Sequence, residues 1–230
     1  MKKVGIIGGL GPETTAKFYL EIASACQEIN NKFRPAILII SVPLPYKIEK
    51  EAIVEGRGEE RCVPFIVEAA KKLEKAGADF LVMPCNSLHA FIGEIRGAVK
   101  IPVISIVEEV ADFLKKENIS EIGIIATAIT VNKKLYETFL TKNNIKQIKP
   151  NNFHQAQIGK IIHDIVLNKV KKGDKEKLIS IVNSFKKRGV KNIILACTDL
   201  QLLISSHPKL KIYDTMKIFS EATVKKILEK

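Results

Sequence analysis

Two cysteines are the residues best placed for chemistry. Cys85 lies in Lys75–Ile92, KAGADFLVMPCNSLHAFI, and Cys197 in Lys187–Ile204, KRGVKNIILACTDLQLLI. The stretches align without a gap: Lys75 with Lys187, Gly77 with Gly189, Leu81 with Ile193, Cys85 with Cys197, Leu88 with Leu200, Ile92 with Ile204. Each reads as a helix end, a glycine, a strand, then a thiol followed by two polar residues, Asn86-Ser87 or Thr198-Asp199. A duplication that keeps a thiol at the same strand end predicts one site with two similar acids or bases facing each other. Each thiol precedes a predicted helix start, a position that draws its pKa from about 8.5 toward neutrality and makes thiolate available. Asn86, Ser87, Thr198 and Thr127 add hydrogen-bonding groups. The plain alternative, two core cysteines in a duplicated fold, does not account for polar residues at both strand ends. His89, four residues after Cys85, is either a thiol partner or a structural or substrate-orienting imidazole.

The elements that must position these groups repeat as well. KVGIIGG (3–9) matches EIGIIAT (121–127), Phe18 falls at the offset of Tyr136, and IPVISIVEEV (101–110) matches LKIYDTMKIF (210–219). Two long copies mean a duplicated domain and not a solenoid. Strands are predicted at KVGIIGG, AILIISVP, ADFLVMP, IPVISI, EIGIIAT, NIILACTD and LKIYD. Helices are predicted at Pro12–Ile29, Pro64–Ala76 capped by Gly77, Leu88–Val99, Val107–Lys116, Asn132–Thr141, Gln155–Val170, Lys175–Arg188 and Met216–Leu228. Tyr46–Gly58 is polar and reads as a loop with a short helix. Near-continuous apolar strands alternating with helices give parallel sheets covered on both faces. Ligands in such folds bind beyond the carboxyl ends of the strands, where both cysteines fall.

The start, Gly8-Gly9-Leu10-Gly11-Pro12-Glu13-Thr14, is not a dinucleotide fingerprint: Thr14 replaces the third glycine, and the second strand ends on Ser41 rather than an acid. It reads as a tight strand-to-helix turn whose N–H groups can hold a carboxylate. The 230 residues carry a net charge of +12, spread as single lysines or pairs without interleaved aromatics, which argues for solvated helix faces over nucleic-acid binding. The four cysteines, at 26, 62, 85 and 197, form no metal-finger spacing. Cys26 and Cys62 read as ordinary buried thiols. No apolar run reaches membrane length, and the start is too broken by Gly and Pro for a signal peptide, so the expected location is the cytoplasm.

VGIIGGLGPETT, GADFLVMPCNSLHAF, IGIIAT and ILACTDLQLLI together resemble the cofactor-independent aspartate/glutamate racemase superfamily, most nearly its aspartate racemase branch, over essentially the whole chain. The resemblance implies two pseudo-symmetric three-layer α/β domains with the site in the cleft between them, the first built from 1–99 plus 209–230 and the second from 100–208. It implies a homodimer, no cofactor and no metal. Cys85 and Cys197 match the family's acid and base. Asn86, Ser87, Thr127 and Thr198 match positions that hold the α-carboxylate, with Gly9, Leu10 and Gly11 in the first loop, and His89 and Asp199 in support.

Two departures stand out. The family's second motif runs glycine-cysteine-threonine-glutamate, whereas this chain has Ala196-Cys197-Thr198-Asp199. Where aspartate racemases use an arginine to grip the side-chain carboxylate, this chain has Lys50, which keeps the charge and loses the fork. Lys169 is the nearest candidate for a second anchor. The expectation is a racemase acting on an acidic amino acid, aspartate before glutamate. Its rivals are an isomerase or decarboxylase of a small dicarboxylate, or an inactive small-anion binding protein.

Overall fold

The computed structural model describes residues 1–52 and 56–229 and has two parallel sheets of matching order. The first sheet runs β2 (Ile37–Ser41), β1 (Val4–Gly8), β3 (Phe80–Val82). The second runs β5 (Lys146–Ile148), β4 (Glu121–Ala126), β6 (Asn192–Ala196), β7 (Lys211–Asp214). The predicted IPVISI strand is reduced to one parallel bridge, Val103 to Leu81, flanking β3 as β7 flanks β6. The Leu81 N–H donates to the Pro102 carbonyl and the Ile104 N–H to the Leu81 carbonyl. Pro102 has no N–H of its own, so the ladder cannot extend. β5 was not foreseen: Lys146–Ile148 is too short and too polar to stand out.

Gly5 and Gly123 show why the two copies share residues. A Cβ at Gly5 would lie 2.7 Å from Leu81 and 3.2 Å from Leu73. A Cβ at Gly123 would lie 2.6 Å from Ile193 and 2.7 Å from Phe185. These partners occupy equivalent places, so each central strand needs glycine where the outer helix and the neighbouring strand crowd it.

The helices are α1 (Pro12–Ile29), α2 (Tyr46–Lys50), α3 (Val63–Lys75), α4 (Ile92–Ala98), α5 (Ile106–Lys116), α6 (Ala128–Asn132), α7 (Leu135–Lys142), α8 (Asn152–Val166), α9 (Asp174–Lys187) and α10 (Thr215–Leu228). Short 3₁₀ segments follow the two motif cysteines at Ser87–Phe91 and Leu200–Leu202. The predicted Leu88–Val99 helix is therefore split, and the predicted Asn132–Thr141 helix is two pieces, α6 and α7. Part of the expected loop, at 53–55, lies outside the described residues.

Three apolar cores result. One lies under α3 and α4, one under α8 and α9, and a shared one between the sheets holds Phe18, Ile106, Tyr136, Met216 and Phe219. The expected division, 1–99 with 209–230 against 100–208, does not follow the sheets at either seam, because Val103 joins the first sheet and β7 the second. The helices cross over instead. α5 follows the edge of the first sheet and packs on α7, while α10 follows β7 and packs on α1 and α5. Each carries an apolar face that the shared core takes up, which ties the halves together.

Candidate active site

In each parallel sheet the order of strand addition reverses beside the central strand, β1 or β4, and ligand clefts open at that switch point beyond the strand ends. The first switch point brings together the turn after β1 and the residues after β3; the second brings together those after β4 and β6. Both face one cavity with about 520 Å³ of empty space, counted to its open mouth. Leu10, Cys85, Asn86, Ser87 and Leu88 line it from the first half, and Thr127, Ile129, Cys197, Thr198 and Asp199 from the second. Both expected thiols and all four expected polar residues thus meet in one place.

The thiols are not poised as expected. The Ser87 and Leu88 N–H groups favour the Cys85 thiolate and the Asp199 N–H favours that of Cys197, as predicted for helix starts. Burial outweighs them. Cys85 is pushed up to about 12, chiefly by desolvation. Desolvation, reinforced by the Asp199 charge, raises Cys197 well above the ordinary thiol value. The segments behind the sulfurs are brief 3₁₀ turns rather than full helices, so they bring few aligned dipoles. At rest both groups are protonated.

Asp199 is buried beside Cys197. Its Oδ1 accepts from the Thr14 hydroxyl, and its Oδ2 lies 3.7 Å from the donating Cys197 Sγ. Burial raises the Asp199 carboxyl, and the Thr14 and Cys197 bonds oppose that rise. Gly11, at φ 99°, makes room: a Cβ there would lie 2.6 Å from Oδ1. This is the use of the glycine-rich turn. The Gly9 N–H, expected to be free for a carboxylate, donates to Thr15 Oγ1 at 2.9 Å. Among Gly9, Leu10 and Gly11, only Leu10 lines the cavity.

The other polar groups are partly committed. Asn86 donates to Thr215 Oγ1 at 3.0 Å and accepts from the Tyr136 hydroxyl, leaving one amide hydrogen. Thr198 donates to the Pro84 carbonyl at 3.1 Å. The Ser87 and Thr127 hydroxyls lie 2.7 Å apart, and Thr127 also caps α6 by accepting from the Thr130 N–H. The Ser87, Thr14 and Thr198 bonds each join one half to the other.

His89 is not a thiol partner. Its Nε2 accepts from the Ile106 N–H at 3.1 Å, so Nδ1 is the donor to the Cys85 carbonyl at 2.7 Å. Burial lowers it to about 4, so it stays neutral and braces the motif against the start of α5. Lys50 and Lys169, expected to anchor a side-chain carboxylate, are exposed and do not line the cavity. Both lie within electrostatic reach of His163 instead. Two titratable lining residues were not among the expected site residues. Cys62 is buried in the wall, its thiol pushed up to about 11 by burial and the Glu49 charge. Glu49, next to Lys50 on α2, faces the cavity where the lysine was expected. A helical segment turns neighbouring side chains about 100° apart, so only the register of α2 could decide between them.

Among the described residues no group of three or more His, Cys, Asp or Glu is placed to hold a metal, and no helix is long and apolar enough to cross a membrane. The Asp/Glu/hydantoin racemase family matches residues 7–223. The chain is 28% identical over 157 residues to the broad specificity amino-acid racemase RacX of Bacillus subtilis, covering 66% of each chain. Among solved structures it is similar to the Picrophilus torridus aspartate racemase, at 26% identity and a TM-score of 0.83, covering 100% of this chain and 96% of that one. It is also similar to an aspartate racemase homologue from Pyrococcus horikoshii, at 26% identity and a TM-score of 0.79 over 100% of both. With the paired switch points and their thiols, a match over nearly the whole sequence makes the chain a member of the Asp/Glu/hydantoin racemase family.

Proposed function

We propose that the protein is a cofactor-independent amino-acid racemase that works with Cys85 and Cys197. The observation that carries this reading is the pair of matched thiols lining one cavity from two equivalent strand ends. A substrate α-carbon between them has one thiol on each face. The Cys197 proton passes to Asp199 Oδ2, with which it is already hydrogen-bonded, and leaves a thiolate. That thiolate takes the α-hydrogen, and the C–H electron pair stays on carbon. The Cys85 S–H then gives its proton to the opposite face. The cycle ends with Cys197 as thiol, Cys85 as thiolate and Asp199 protonated, and transfer of the Asp199 proton back to Cys85 resets the site. The opposite enantiomer uses the thiols in reverse.

The raised thiols fit this scheme. A thiolate formed in a dry cleft is a strong base, and the transition state gains from fixed dipoles that need no reorganisation. The remaining hydrogens of Asn86 and of the Ser87–Thr127 pair supply such dipoles for the α-carboxylate. Exchange of the α-hydrogen with solvent deuterium, followed for single enantiomers by chiral chromatography, tests the reading. A racemase exchanges and inverts. A decarboxylase releases carbon dioxide, and a binding protein does neither; either result would sink the proposal. Thiol alkylation should stop the reaction, whereas a chelator or a carbonyl-trapping reagent should not.

A further inference from the structure

We propose that Glu49 is the side-chain anchor of this site and that it selects an amino acid with a cationic side chain, of the lysine or ornithine class, over an acidic one. The inference rests on the racemase reading for the role of the thiols and goes beyond it in naming the substrate class.

Two carboxylates line the cavity, and among the described residues no lysine, arginine or histidine does. Asp199 is spent, one oxygen on Thr14 and the other on Cys197. Glu49 is not. Its carboxylate is half-buried and has no hydrogen-bonded or ion-paired partner among the described residues. Burial raises it, and the Asp199 charge raises it further. A partly desolvated carboxylate without a partner is costly, and a second negative charge nearby adds to the cost. A ligand ammonium relieves both. A side-chain carboxylate worsens both, since it would add a further negative charge beside Glu49 in a cavity that already holds Asp199 and must take the substrate's α-carboxylate.

The rest of the wall fits a long aliphatic stem. Leu10, Leu44, Ala52, Ile162 and Val166 share the cavity with Glu49. Methylene groups can lie along these residues while the terminal nitrogen meets the carboxylate, as amphipathic side chains do elsewhere in proteins. Aspartate has one methylene and would leave most of this apolar surface uncovered.

The test compares lysine with norleucine, which keeps the stem and lacks the terminal amine. Calorimetric binding and solvent-deuterium exchange at the α-carbon are measured on wild type and Glu49→Gln. Wild type is expected to favour lysine over norleucine by at least tens-fold, and over aspartate by more. In Glu49→Gln the lysine-to-norleucine ratio should collapse toward one, in binding and in kcat/KM alike. Lysine and norleucine falling together in the variant would overturn the assignment. So would a wild-type enzyme that prefers aspartate and loses that preference in Lys50→Ala. The two readings fail separately. Lysine held through Glu49 without α-hydrogen exchange in any amino acid sinks the racemase reading alone. Exchange in amino acids that Glu49 does not discriminate sinks the anchor alone.

Discussion

The two strand ends are built on one plan and differ where it matters. After Cys85 comes Asn86-Ser87; after Cys197 comes Thr198-Asp199. Ser87 meets another hydroxyl, that of Thr127, across the cleft, whereas Asp199 meets Thr14 and also lies against the thiol of Cys197. One cysteine therefore has a proton acceptor built beside it and the other has only N–H donors. In the proposed scheme equivalent positions carry the reacting groups, and their non-equivalent neighbours put a proton acceptor beside Cys197 alone. A similar contrast holds one turn later: His89 braces the first motif, and Gln201 takes its place in the second, accepting from Lys17.

The largest effect is expected on removing one thiol at a time. Cys85→Ser and Cys197→Ser should each cost about 10³-fold or more in racemisation, since positioned proton transfer contributes 10²–10⁴-fold. Both directions should fail in each variant. Near wild-type rates in both directions, from either one, would end the two-thiol scheme.

Substituting the neighbours of the thiols should cost less. Asp199→Asn should lower kcat by about 10²-fold, while Ser87→Ala should cost about tenfold or less. Asp199 accepts a proton only as carboxylate, and burial raises its pKa. Activity should therefore fall with decreasing pH at values above the ordinary aspartate range, and that acid limb should move or vanish in Asp199→Asn. A pH–rate profile unchanged by the substitution would remove Asp199 from the proton path.

His89→Gln gives the first motif the residue of the second. His89 is held at about 4 in the folded chain, below the usual 6.5, so the unfolded chain binds the proton first as pH falls. Its contribution to stability is present above pH 6.5 and lost on the way to pH 4, by an amount on the order of 3 kcal/mol. Thermal unfolding of His89→Gln should show a shallower decline over that window than wild type. Parallel declines would assign the acid sensitivity to other groups.

A matched pair of smaller changes asks whether the halves are equivalent in packing. Gly5→Ala and Gly123→Ala each force a methyl against side chains 2.7 Å and 2.6 Å away, and each should destabilise by about 1–3 kcal/mol in chemical denaturation. Widely different values would show that one core yields more than the other. The smallest effects belong to the remaining thiols. Cys26 is buried in the shared core, away from the cavity, and Cys26→Ser should leave kcat/KM unchanged. Cys62 lies in the wall, and Cys62→Ser should change kcat/KM by less than about tenfold. A larger loss would give this third thiol a part in the reaction.

The duplication, the alternation of strands and helices, and the placement of Cys85 and Cys197 at strand ends were all legible in the chain's residues alone. These follow from patterns a few residues long, read by glycine, apolar runs and turn residues, and they survive in the structure nearly intact. The local signals failed where a contact from far along the chain decides. Burial from both halves raises thiols that a helix start alone would lower. His89 is fixed by Ile106 and not by Cys85's sulfur. Val103 and Lys211–Asp214 join sheets that their place in the sequence did not assign. The choice between Glu49 and Lys50 as the wall of the cavity turns on how one short helix sits against the rest of the fold. Spacing along the chain names the candidates for a site, but solvent exclusion and the company of distant residues set their charge and orientation.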